Sequence, residues 1–174
     1  MTTVQSRRDA VFGAGSTLFY EEPVHIVRGE GVVLHAADGS RYIDYIGSWG
    51  PMICGHANPD IIDAVKRAAD NGLSFGAPTA LEIELAERLV KLTPDGLSRV
   101  FYADNGSSAI EAALKMSYHF WLNSGKPGKH RFVTLSNSYH GETLGALSVG
   151  DMALYKETYA PLLLEVITAP SPDC

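Results

Sequence analysis

Two segments, RVFYADNGSSAIEAALKM at residues 99–116 and RFVTLSNSYHGETLGALSVG at residues 131–150, decide the architecture. Each runs from an apolar stretch through a turn of small or polar residues into a helical pattern. Val100, Phe101 and Tyr102 suit a buried strand, and Gly106-Ser107-Ser108 opens the next helix with free backbone N–H groups. The first amides of a helix have no intrahelical acceptor, and the helix dipole adds positive potential there. Such a turn is a ready phosphate site. Arg131 to Leu135 repeats the strand pattern. Asn137-Ser138-Tyr139-His140-Gly141-Glu142 follows it, at the carboxyl end where open α/β sheets place their ligands. A phosphate cradle beside an aromatic plate predicts a flat, phosphorylated cofactor.

The flanking chain supports an α/β fold. His25 to Arg28 and Val32 to His35 read as strands, and Asp38-Gly39 marks a tight hairpin with Arg41 to Ile46 as the return strand. Gly47 to His56 has no periodicity and reads as a loop. Asn58 as N-cap, Pro59 at the first position and Gly72 past the end bound a helix whose apolar stripe is Ile61, Ile62, Val65, Ala68 and Ala69. Thr79 with Glu82 forms a capping box ahead of Leu85, Leu89 and Leu92. Helices alternating with buried strands predict a parallel sheet with crossover helices. A further strand is expected near Leu164 to Thr168, and Met1 to Ser16 reads as a loose polar arm.

VFYADNGSSAIEAALKM and RFVTLSNSYHGETLGALSVGD together resemble the large-domain core of class III aminotransferases, and within that family residues 95–174 are most similar to its diaminopelargonate-synthase branch. FYEEPVHIVRGEG (residues 19–31) is similar to the amino-terminal strand region of the family generally. GSWGPMICGHANP (47–59) and GLSFGAPTALEIELAERL (72–89) look instead like the glutamate-1-semialdehyde aminomutase branch, so residues 44–90 carry the alternative function. The resemblance implies a partial three-layer α/β/α sandwich of the major domain. Residues 1–57 would form an arm and a β segment of the small domain, and residues 58–174 the first part of the large one. It also implies pyridoxal 5'-phosphate as cofactor, a small amine or keto substrate, and a homodimer.

Carried over residue by residue, the likeness assigns the phosphate to the amides of Gly106 and Ser107 and the Ser107 hydroxyl, the stacking ring to Tyr139, and a substrate-pocket wall to Trp49. The diaminopelargonate enzymes would have a second tryptophan where Gly50 stands. Phe75-Gly76-Ala77-Pro78-Thr79 resembles a loop that approaches the active site across the subunit interface in the aminomutases. None of the six lysines (Lys66, Lys91, Lys115, Lys126, Lys129 and Lys156) stands in the context of the family's cofactor-bearing lysine. No catalytic residue is therefore assigned, and the chain reads as the front part of such an enzyme, inactive alone; a truncated or chimeric fragment is the other-class alternative.

Composition narrows the rest. A formal charge of −6 argues against nucleic acid or an anionic membrane as partner, and no apolar run is long enough to cross a bilayer. Residues 1–18 lack the apolar core of a signal peptide, and two cysteines, Cys54 and Cys174, give no disulfide framework, which fits a reducing cytoplasm. Cys54-Gly55-His56 is too small a ligand set for a metal. Glu111, four residues before Lys115, reads as half of a helix-surface pair.

Overall fold

The computed structural model describes residues 4–11 and 24–172. Contacts divide the chain into two compact units, Met1–Thr79 and Ala80–Cys174. Within the amino-terminal arm Val4–Asp9 form helix α1, and residues 1–3 and 12–16, like Cys174, lie outside the described residues.

In the first unit β1 (Ile26–Glu30), β2 (Val33–Ala36) and β3 (Arg41–Ile43) form an antiparallel sheet in that order. Gly31, at φ +56°, turns β1 into β2 over two residues, so that Glu30 pairs with Val33. The second hairpin is the expected Asp-Gly turn. Gly39 has φ +91°, and the Asp38 carboxylate accepts from the Ser40 amide at 2.8 Å. The return strand is shorter than its β-rich sequence suggests. Asp44 ends it by accepting the amides of Ile46 (3.0 Å) and Gly47 (2.9 Å), which bends the chain out of the sheet. Helix α2 (Pro59–Ala69) starts as expected, with Asn58 Oδ1 accepting from Asp60 and Ile61.

The second unit contains α3 (Ala80–Leu92), α4 (Gly106–Asn123), β4 (Val133–Leu135), α5 (Leu144–Val149), α6 (Ala153–Lys156), a 3-10 turn and β5 (Ile167–Ala169). Strands β4 and β5 pair in parallel, Val133 against Ile167 and Leu135 against Ala169, with the short helices crossing between them. This is the α/β pattern in partial form. Residues 100–102, expected as a buried strand, are not one here. They have no ladder partner among the described residues, and Phe101 is 63% exposed. A strand needs a neighbour, whatever its side chains prefer.

The core is small. Ala146, Leu147, Ser148 and Val149 of α5 are buried, with Thr134 of β4 beneath them. The Thr134 hydroxyl donates to the Val149 carbonyl and bonds Ser138 Oγ at 2.9 Å. No residue of α2, α3 or α4 is fully buried: Ile61, Ile62 and Val65 of α2 are exposed, whereas Ile110 and Leu114 of α4 are half-buried. No helix among the described residues is long and apolar enough to cross a membrane.

Candidate functional site

Asn105 sets the start of α4. In extended conformation (φ −158°, ψ 172°), it accepts the Ser108 amide on its side chain at 2.8 Å and the Ala109 amide on its carbonyl at 3.1 Å. The amides of Gly106 and Ser107 are left over, with no hydrogen bond to any described residue. The first turn of α4 itself carries no acidic side chain.

The Tyr139 turn meets that helix start directly. The Glu142 amide donates to Ser107 Oγ at 3.3 Å. With its oxygen engaged as acceptor, the Ser107 hydroxyl keeps its own proton for an outside oxygen. Gly141 makes the contact possible: its φ is +113°, and a β-carbon there would stand 2.8 Å from the β-carbon of Ser107. Tyr139 is 57% exposed, donates to Glu142 Oε1 at 3.2 Å, and lies 5.9 Å from the Tyr155 ring. Its phenol pKa is raised, first by partial burial and then by Glu142. His140 lines an open cleft of about 350 Å³ with Ile110 and Leu114 of α4 and the β4 residues.

Three anchors of this turn are not legible as such in the sequence. Glu142 serves both Ser107 and Tyr139. Glu111 is not the surface partner of Lys115 that its spacing suggests. Its Oε1 accepts from Thr143 Oγ1 (2.7 Å) and from the amides of Gly145 (2.8 Å) and Ala146 (3.3 Å), at the start of α5. The Thr143 hydroxyl is the largest influence holding its carboxyl below the ordinary range, and Lys115 the smallest. Lys156 Nζ, at the other end of α5, donates to the carbonyls of Ser148 (3.2 Å) and Gly150 (2.8 Å).

Trp49 belongs to the first unit. Gly47, Ser48, Trp49 and Gly50 all have positive φ (57°, 54°, 65° and 109°), a tight left-handed turn closed by the Gly50 amide on the Gly47 carbonyl. Each non-glycine residue held there costs roughly 1–2 kcal/mol. The Asp44 carboxylate offsets this: Oδ1 takes the Ile46 and Gly47 amides and Oδ2 meets His56 Nε2 at 2.6 Å. His56 is in turn pinned to Gly31 by two backbone hydrogen bonds, 2.8 and 2.9 Å. Its ring lies over Gly29, where a β-carbon would come within 2.6 Å. The His56 ring is thus engaged by a carboxylate, and Cys54 is an exposed free thiol. The Trp49 side chain is 78% exposed. Phe75, in the loop before α3, folds back over Gly72.

Comparison with known proteins identifies the family. The sequence profile of the family "Aminotransferase class-III" matches residues 19–174. The adenosylmethionine-8-amino-7-oxononanoate aminotransferase of Geobacter sulfurreducens is 41% identical over 156 residues, 88% of this chain and 34% of that protein. The Helicobacter pylori protein of the same name is 45% identical over 155 residues, 86% of this chain and 35% of its own length. The chain spans about a third of the length of the curated relatives it matches. Among solved structures, the Methanocaldococcus jannaschii protein of that name superposes with a TM-score of 0.79 at 35% identity, over 87% of this chain and 35% of that one. A PLP-bound aminotransferase mutant from Vibrio fluvialis gives 0.87 at 26% identity, over 99% of this chain and 40% of that one.

Proposed function

Because the chain belongs to the class III aminotransferases, we propose that it contributes the phosphate cup, the stacking ring and part of the substrate wall to a pyridoxal-phosphate-dependent aminotransferase of the diaminopelargonate-synthase type. The observation that carries this is the Glu142–Ser107 hydrogen bond, which joins the open start of α4 to the Tyr139 turn within one compact unit. The residues present fit the cofactor. Two unpaired amides and an oriented hydroxyl suit a phosphate, and a half-exposed phenol ring, held at its oxygen by Glu142, suits a flat heterocycle.

When bound, the cofactor supplies the electron sink for moving an amino group between an amine and a carbonyl compound. The work of this chain is to bind and orient it. Gly106 and Ser107 fix the phosphate end, Tyr139 covers one ring face, and Trp49 bounds the substrate. The relatives' names specify adenosylmethionine and 8-amino-7-oxononanoate, and we extend that substrate pair to the protein this chain serves. A match that covers 88% of this chain runs through residues 44–90 as well, so one aminotransferase likeness accounts for both segments and the aminomutase alternative is not needed. We place the protein in the cytoplasm as a homodimer.

The test is a titration of the ¹⁵N-labelled chain with pyridoxal phosphate. The amides of Gly106 to Ser108 should move first, with Tyr139 ring signals following. Shifts spread evenly over the chain, or absent from that turn, would overturn the assignment.

A further inference from the structure

Two glycines and two α4 side chains mesh at the same spacing. Ser107 and Glu111 stand one turn apart on a single face of α4. Gly141 and Gly145, also four residues apart, bracket the segment that runs from Tyr139 into α5. A β-carbon on Gly141 would overlap Ser107, and one on Gly145 would fall 2.7 Å from the Glu111 carboxyl carbon. Each glycine thus leaves room for one α4 side chain.

The two contacts differ in strength. Ser107 receives a single bond, from the Glu142 amide at 3.3 Å. Glu111 receives three on one oxygen, two of them at 2.7 and 2.8 Å, and an ionised acceptor makes each of them stronger than a neutral pair. Lys156 of α6 holds the far end of α5 and makes no bond to α4 among the described residues. The register between the Tyr139 turn and α4 is therefore set mainly by the carboxylate one turn below the phosphate cup.

We infer that Glu111 is a positioning residue for the cofactor site: through Thr143, Gly145 and Ala146 it fixes the height and register at which the Tyr139 ring faces the Gly106–Ser107 cup. The inference rests on the cofactor-site reading above. Glu111 itself touches only the protein. The cup amides belong to α4 and stay in place without it, whereas the ring does not. Loss of Glu111 separates plate from cup.

Two variants of the 174-residue chain test this: Glu111→Ala removes the acceptor, and Glu111→Gln keeps a neutral one in the same place. Without ligand, Glu111→Ala should speed hydrogen exchange at the Glu142 amide by about tenfold. It should also bring the Tyr139 phenol titration down towards the ordinary value of about 10. Glu111→Gln should restore most of both. With ligand, Glu111→Ala should weaken pyridoxal phosphate by about tenfold while inorganic phosphate at Gly106–Ser108 changes by less than about twofold. A lower Tm in Glu111→Ala, with exchange, phenol titration and the ratio of the two affinities all unchanged, would reduce Glu111 to a stabilising cap and overturn the inference. If the parent chain binds neither probe at Gly106–Ser108, the cofactor-site reading fails by itself, and the two ligand-free measurements still decide the role of Glu111.

Discussion

Replacing Gly141 with alanine sets a methyl group where two penalties coincide. The residue sits at φ +113°, and an L side chain in the left-handed half of the map costs roughly 1–2 kcal/mol. The added carbon would also overlap Ser107 Oγ outright and stand 2.8 Å from its Cβ and 3.1 Å from its Cα. Relieving an overlap of that kind in packed structure costs about 1–3 kcal/mol. Together the two terms give a destabilisation of about 2–5 kcal/mol. Ser107→Gly removes the overlapping atoms but not the φ strain. A double-mutant cycle should then return roughly 1–3 kcal/mol of favourable coupling, leaving the conformational part in place. Gly106→Ala is the internal control. A methyl group there meets nothing within 4 Å and has ordinary φ, so it should be neutral or stabilise by up to about 1 kcal/mol. Urea unfolding followed by circular dichroism, at one fixed chain concentration, measures the parent and all four variants. Gly141→Ala within about 0.5 kcal/mol of the parent, or zero coupling to Ser107, would show that the Tyr139 turn does not sit on α4 as described.

Three further outcomes follow from the same contacts. The Asp44 carboxyl is held below its ordinary range, chiefly by His56, so its stabilisation is full above about pH 4, the unfolded value, and is lost as pH falls through the lower folded value. Asp44→Asn should abolish that acid dependence and shift the Trp49 indole resonance; an unchanged indole signal would mean that Asp44 does not hold the loop. The chain should self-associate, because Ile53, Leu92 and Leu162 are among many large apolar side chains left exposed; a clean monomer by sedimentation at about tens of micromolar defeats this. Borohydride reduction with pyridoxal phosphate should label the six lysines only sparsely, since Lys126 and Lys129 lie over Trp121 and the Lys156 amine is held by two carbonyls. Stoichiometric labelling of one lysine, together with amine transfer to a keto acid, would show the 174-residue chain to be a working transaminase.

What sequence could show here was whatever depends on neighbours in the chain. The Asp38-Gly39 hairpin, the Asn58-Pro59 helix start and the open turn at Gly106 are all local, and all three are where the residues say. Val100 to Tyr102 fails for the opposite reason. Strand propensity is a statement about a ladder, and the described residues include no partner for that segment. Glu111 departs from its expected pairing because the i,i+4 rule names the nearest opposite charge along the helix, whereas three donors 32 to 35 residues away win the carboxylate. A cue was present: Gly141 and Gly145 repeat the spacing of Ser107 and Glu111, yet spacing alone does not say which helix face a glycine pair will meet.

The two anchoring carboxylates solve one physical problem in different ways. A functional loop needs a fixed geometry, yet this chain buries few side chains that would impose one. Asp44 accepts two amides and meets one imidazole and thereby anchors the left-handed run Gly47 to Gly50 that carries Trp49. Glu111 gathers a hydroxyl and two amides on one oxygen and thereby fixes the segment beneath Tyr139. In each case glycines clear the space, Gly29 for the His56 ring, Gly141 and Gly145 for the α4 side chains. Polar anchoring of this kind is short in range and directional, so it specifies a loop without a surrounding core. It also makes the geometry sensitive to single atoms: a methyl group on any of these glycines, or the loss of either carboxylate, disturbs the loop that the contact anchors.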